Sequence, residues 1–464
     1  MKPSAAIADI LGHYVSNLRI DALPREVVEM AKLCIIDCLS SCVTIDHSPE
    51  ALALQDALCR GDGEATIFGS VALAAPDVAA LINGVSAAGT CRNDTHAAIA
   101  AHPGMCVIPA VLALAESIGA SGAHVIEAVA AGYEVMSRLG LALVNPEFSA
   151  TFRPTGWLGA TGAGAAAAKI LSLDARSTRN AISIATNCAS GFSEWAFSGT
   201  NELVLQSGQA ARNGVVAALL AQRSIAASPS IFEGDGGMLR GFHARDRAAL
   251  LTDRLGEHFE TLAVQFKAAP ACIFAQGPSQ LAAQVANGQK LPAELIERVD
   301  IFMPHAAATY PGCDQPGPYR SRIAGSASVL FSVASILVAG GIHDENWDHF
   351  DNRDVADIAS RTTLIVDEGL TAAFPARNGT RLEVHLTDGR CLSAKQSDLA
   401  PMTEAEIITR FRNGATHLPA DALEAALFAL GRLESIDDVS VITSLLRAAK
   451  AENRTDDRIP SLEN

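Results

Sequence analysis

From residue 5 to about residue 265, apolar side chains recur at three- and four-residue spacing, the period of helices buried along one face. The stretches "REVVEMAKLCIIDCLSSCV" and "GAHVIEAVAAGYEVMSRLG" show it most clearly. Pro24 stands at the first turn of the former, and Ser121 is placed to cap the latter. Helix follows helix with short Gly, Pro and Ser punctuation, and strands are hard to find. After about residue 266 the period changes. "IERVDIFMPH" and "TTLIVDE" read as strands, and "RNGTRLEVHLTDGRCLSAKQSD" reads as a hairpin. In the hairpin Leu382, Val384 and Leu386 alternate with Glu383, His385 and Thr387 before an Asp388-Gly389 turn. The helical period returns from about Thr403. The pattern predicts a mainly α fold: a large helical domain from 1–265, an inserted smaller α+β domain over 266–401, and a helical return over 402–464. The polar tail "AENRTDDRIPSLEN" is expected to fray.

Composition supports this picture. A chain of 464 residues exceeds the roughly 250–300 at which single cores stop growing. Aromatic residues are only 5% while alanine and glycine abound, which favours closely packed helices over a β-sandwich. A net charge of −16 argues against nucleic acid as a partner, yet it leaves room for a local basic pocket that takes a small anion. The amino-terminal stretch lacks the pattern of a signal peptide. The most apolar run, Val329 to Ile342, falls short of the roughly 20 residues a membrane span needs and reads as a buried helix. Ten cysteines without disulfide-like spacing suit a reducing compartment, and a cytoplasmic location is expected. Cys34, Cys38 and Cys42 fall along one helix face and read as small core hydrophobes, with a metal or cluster site as the alternative.

Two stretches invite chemistry. "GATGAGAAAAK" looks at first like a dinucleotide fingerprint, but neither a preceding strand nor a βαβ unit surrounds it, so it reads as small residues that let helices approach. "NDTHAAIAAHPG" (93–104) places two histidines, a carboxylate and a hydroxyl together in a greasy region. His102 can titrate near neutral pH and is the best candidate for moving a proton. Asp94 either orients a histidine or forms an Asx turn or helix cap, and Thr95 is either a substrate donor or a cap. His96 lies two residues from Asp94, so only a loop could converge them.

The ordered blocks "LPREVVEMAKLCIIDCL", "GDGEATIFGS", "APDVAALINGVSAAG", "HPGMCVIPAVLALAE", "PTGWLGATGAGAAAAKILSLD" and "SGQAARNGVVAALLAQ" resemble the MmgE/PrpD family along nearly the whole chain. The resemblance implies a helical domain with a smaller lid domain, a homodimer, and an active site between the domains. It implies a lyase or isomerase that needs no cofactor or metal and acts on a small di- or tricarboxylate. Proton transfer beside a carboxylate would serve dehydration, decarboxylation or epimerisation.

The 93–104 stretch resembles the family's D-x-D-D-T-H…H-P-S motif, which implies catalytic roles for Asp94, His96 and His102. It also implies substrate contacts from Thr95 and from Cys91, which stands where the motif has its first acid. Gly104 replaces the final serine. Arg153 stands where a histidine is common before "TG" and implies a carboxylate anchor, because guanidinium is a poor proton shuttle. In "LVLQSG" Leu203 replaces a lysine and Gln206 a histidine, Gln206 being retained as a substrate contact. Lys267 in "KAAPAC" is kept and reads as an anchor or, alternatively, as a solvated lysine; Gln276 and Phe331 replace a histidine and a tyrosine. His305 and Tyr310 lie on a Pro/Gly-rich loop that could close over substrate or be ordinary surface, and Glu194 and Trp195 are further lining candidates. The lost ionisable residues leave a second reading, a non-catalytic paralogue that uses the fold for binding.

Overall fold

The computed structural model describes residues 5–44, 48–61 and 63–448; the tail expected to fray lies outside them. The longer helices include α1 (Ile7–Asn17), α2 (Arg25–Cys42), α3 (Pro76–Gly89), α4 (Gly104–Ile118), α5 (Gly122–Leu143), α6 (Pro154–Ile170), α7 (Ala175–Thr186), α8 (Leu203–Gln222), α9 (Ile273–Ala286), α10 (Val329–Ala339), α11 (Glu404–Gly414) and α12 (Ala420–Leu430). The fold is mainly α, and no described helix is long and apolar enough to cross a membrane.

Small residues decide how the helices of the first core meet. Helix α8 packs against α6, α3 and α7, and α6 also packs against α5. A Cβ added at Gly208 would fall 2.2 Å from the Leu81 carbonyl oxygen, so α3 and α8 touch backbone to backbone. "GATGAGAAAAK" is the buried body of α6, where a Cβ at Gly162 would fall 2.6 Å from Met136 Cβ. Its Lys169 pairs with Glu127 at 3.0 Å. Cys34, Cys38 and Cys42 are all buried in this core, as expected of small hydrophobes. Ser121 caps α5 by accepting from the His124 N–H at 3.3 Å, whereas Pro24 stands at the N-cap of α2, one residue ahead of its first turn.

Two-residue strands interrupt the helical region, among them β1 (Thr95–His96), which pairs antiparallel with β2 (Val264–Gln265). A second apolar core spans residues 269–399. It holds the four-stranded sheet of β3 (Ile296–Met303), β4 (Thr362–Val366), β5 (Thr380–Leu386) and β6 (Cys391–Gln396), in the order β4-β3-β5-β6. Strand β4 runs parallel to β3, and the other pairs are antiparallel. Leu382, Val384 and Leu386 face this core, and Gly389 takes a left-handed φ of 88° in the hairpin turn. The run from Val329 is the buried helix α10. Helices α11 and α12 then return to the first core through Ile407, Phe411, Leu423 and Leu430.

Candidate active site

The 93–104 stretch leaves the end of α3 through a strained turn. Cys91 adopts φ 54°, a region that non-glycine residues seldom occupy, and its carbonyl accepts from Lys267 Nζ at 3.3 Å. Asn93 Nδ2 donates to the Ala87 carbonyl at 2.8 Å and closes the turn. Strand β1 follows, and its alternation sends Thr95 and His96 to opposite sides. The Asp94 carboxylate accepts from the Gly104 N–H at 2.9 Å, at the first turn of α4, and from the Tyr133 hydroxyl at 2.6 Å. Burial and the neighbouring Asp37 carboxylate push Asp94 up to about 7.

His102 sits at the centre of this frame. Its Nδ1 lies 3.0 Å from the Asp94 carbonyl oxygen and 2.9 Å from Thr95 Oγ1, which itself donates to the Asn93 carbonyl at 3.2 Å. A carbonyl oxygen can only accept, so Nδ1 carries the ring hydrogen and the lone pair of the neutral imidazole is on Nε2. Nε2 has no hydrogen-bond partner among the described residues. Burial drives His102 well below the ordinary imidazole pKa, and the charges of Lys267 and Arg153 act in the same direction.

The ring lines a cavity of about 70 Å³ between the two cores. Arg153 and Lys267 also line it, and both are buried. Arg153 Nη1 donates to the Leu203 carbonyl at 3.0 Å and to Ser207 Oγ at 3.1 Å. Neither cation pairs with a carboxylate, and no aspartate or glutamate lines the cavity among the described residues. Burial lowers the pKa of both, and for Lys267 the more distant Asp37 charge offsets only part of the effect. Cys91, Cys272, Tyr310 and Ser326 add polar groups, while Leu203, Ile273, Ile323 and Trp195 make an apolar wall.

Comparison with known proteins bears on this cavity. The model of the MmgE/PrpD N-terminal domain matches residues 9–250, and that of the MmgE/PrpD C-terminal domain matches residues 269–430. The chain belongs to the MmgE/PrpD family. It is 26% identical over 471 residues to a protein of Aspergillus terreus named cis-aconitate decarboxylase, with 94% of each chain covered. It is 25% identical over 468 residues to the Homo sapiens protein of that name, covering 95% of each. A cis-aconitate decarboxylase-like protein of Aspergillus oryzae is 27% identical over 288 residues, covering 57% of this chain and 58% of its own.

The structure sorts the residues that the MmgE/PrpD resemblance points to. His102, Cys91, Arg153 and Lys267 meet at the cavity, and Thr95 supports the His102 ring from behind. The Asp94 carboxylate does not line the cavity: it is tied to α4 and Tyr133, and Asp94 reaches His102 only through its carbonyl. His96 does not line it either. Strand alternation turns its ring to Glu260, with Nε2 2.9 Å from Oε2. Burial alone would raise the Glu260 carboxyl, but the His96 contact outweighs it and holds the group below the usual range. Gln206 is likewise outside the lining, donating to the Phe192 carbonyl at 3.0 Å.

Of the looser candidates, Tyr310 and Trp195 line the cavity, whereas His305 and Glu194 are exposed and do not. Phe331 is buried against Tyr319, away from the cavity. Gln276 shapes the wall from behind: it accepts from the Ala269 N–H at 3.0 Å and donates to the carbonyls of Ala269, Ala271 and Cys272.

Sequence reasoning missed Cys272 and Ser326. The Cys313 thiol, at 4.0 Å, pulls Cys272 down to about 7 against its burial, and Lys267 adds to the effect. The one available signal was the short step from Lys267 to Cys272 in "KAAPAC". Ser326 had none. Also missed was Arg410, which pairs with buried Asp37 and donates to the Lys267 carbonyl at 2.8 Å; Asp37 in turn accepts from the Asp94 N–H at 3.0 Å.

Proposed function

We propose that this MmgE/PrpD chain is a lyase that acts on a small di- or tricarboxylate through its own side chains, with His102 moving a proton at the carbon beside a carboxylate. The observation that carries this reading is the pairing of a neutral, cavity-lining His102, whose Nε2 has no partner among the described residues, with two buried cations that form no ion pair there. A buried cation without a partner is costly, so the partner that relieves Arg153 and Lys267 is the ligand's carboxylate. Neutral Nε2 can take a proton from carbon; the electron pair then moves into the adjacent carboxylate, where a fixed cation stabilises the enolate-like charge. In a decarboxylation the flow is reversed. The C–C bonding pair left as CO₂ departs is captured by a proton that His102 Nε2 first takes up from solvent, because the resting ring is neutral. The names of the relatives favour this carboxy-lyase direction over epimerisation.

Residues 266–401 serve in this reading as the lid. Lys267, Cys272, Tyr310 and Ile323 reach the cavity from it, while His102, Arg153 and Leu203 reach it from the helical part. Asp94 and His96 then act as positioning residues. The test is to incubate the full chain with cis-aconitate, 2-methylcitrate, iminodisuccinate and four- to six-carbon dicarboxylates in deuterated water, followed by proton NMR. Consumption or carbon-bound deuterium exchange of at least one is expected. Absence of both across the panel would overturn the lyase reading.

A further inference from the structure

The cavity counts charges. It offers two cations, Arg153 and Lys267, and its apolar wall is formed by Leu203, Ile273, Ile323 and Trp195, the last three buried. Leu203 is the first residue of α8, and Arg153 donates to its backbone carbonyl at 3.0 Å, which fixes the start of the helix next to the guanidinium. A ligand with two carboxylates can neutralise both cations. A third carboxylate would find no third cation among the described lining residues, only neutral polar groups such as Asn93, Ser326 and Tyr310 or the apolar wall, so its desolvation goes without a compensating charge.

We propose that this cavity selects a dicarboxylate bearing an apolar branch over a tricarboxylate, and that Leu203, backed by Ile323, makes the selection. The inference rests on the reading that the cavity is the substrate site, and it separates this chain from what its relatives' names describe. Arg153 and Lys267 set the number of carboxylates accepted; Leu203 sets what the third substituent has to be. Methylmaleate and cis-aconitate form a matched pair for the test, since they share the unsaturated diacid and differ only by the third carboxylate on the branch.

Isothermal titration of the full chain with each ligand at neutral pH is expected to show methylmaleate binding at least tenfold tighter. Leu203→Lys would place a third cation beside Arg153 and is expected to shrink that preference at least tenfold or reverse it, whereas Leu203→Met, which stays apolar, keeps it. The wild-type comparison stands even if the lysine variant fails to fold. Equal or tighter binding of cis-aconitate by the wild type, binding of neither ligand, or an unchanged ratio in folded Leu203→Lys overturns the inference. Turnover of cis-aconitate with tighter cis-aconitate binding would sink the inference but leave the lyase reading standing. Preferential methylmaleate binding without turnover or exchange of any panel member would do the reverse.

Discussion

His102 shows how far a single residue's role depends on its neighbours. Its ring is pinned at Nδ1 by a carbonyl and a hydroxyl, so the only group free to exchange a proton is Nε2. Replacing it with alanine is expected to lower turnover by about 10²–10⁴-fold, measured on whichever carboxylate the wild type consumes. Retention of full activity would remove it from the chemistry. Because burial and two cations depress its pKa, the neutral base persists below the ordinary imidazole range. Proton abstraction from carbon should show the acid limb of kcat/KM below pH 6.5, whereas a decarboxylation that uses the protonated ring should lose activity as pH rises through that same lowered pKa. Asp94 supplies a stability test. Its carboxyl is raised to about 7, so the native state binds this proton more tightly than the unfolded chain. The resulting stabilisation is present below the ordinary carboxylate pKa and is lost as pH rises through about 7. Asp94→Asn should therefore flatten the fall in unfolding free energy between pH 5 and 8 seen in the wild type; parallel curves would contradict it. The residues themselves were partly legible. His102, Arg153, Lys267 and Cys91 are named by their motifs and do line the cavity. Adjacent letters could not show that Asp94 faces α4 and His96 faces Glu260, because that depends on a two-residue strand whose partner lies far along the chain.

At the scale of elements, periodicity was readable wherever one face is buried. The hairpin β5–β6 keeps its inward leucines and valine in register, and α10 is as apolar as its letters. The strand β1 escaped notice because two residues carry no period, and its position comes from Val264 and Gln265. Small residues in α6 were legible as packing sites, though not which helices they would touch, and the close contact of α8 was not read from the sequence. Gly208→Ala tests that contact. Alanine gains about 1 kcal/mol in helix propensity, but the added methyl would meet the Leu81 carbonyl at 2.2 Å, and overpacking costs about 1–3 kcal/mol or more. The clash should win, because one side of it is backbone, and the melting temperature is expected to fall. An unchanged or raised melting temperature would mean that α3 and α8 separate freely.

The whole molecule combines an acidic exterior with a cationic cavity, and only the first is visible in a charge count. A net charge of −16 conceals two buried cations more than a hundred positions apart, which meet only after the helical core and the sheet-bearing segment pack together. The same scale decides association. Helix α8 buries one face against α6 and α3, but Leu205, Val216, Leu219 and Leu220 are 38%, 37%, 38% and 41% exposed along the other. At helical spacing these four fall on one stripe, a shape suited to pairing with its own copy about a two-fold axis. Acidic chains repel each other, so pairing through this stripe draws on apolar burial and is expected to persist or strengthen in high salt. Sedimentation at micromolar concentration should give twice the chain mass, and a Val216→Asp, Leu220→Asp double variant should sediment as a single chain with its helical spectrum intact. The stripe begins at Leu205, two residues from Leu203, so the dissociated variant should also bind carboxylates more weakly if pairing steadies the start of α8. A wild type that sediments as one chain, or a double variant that stays paired, would place the contact elsewhere.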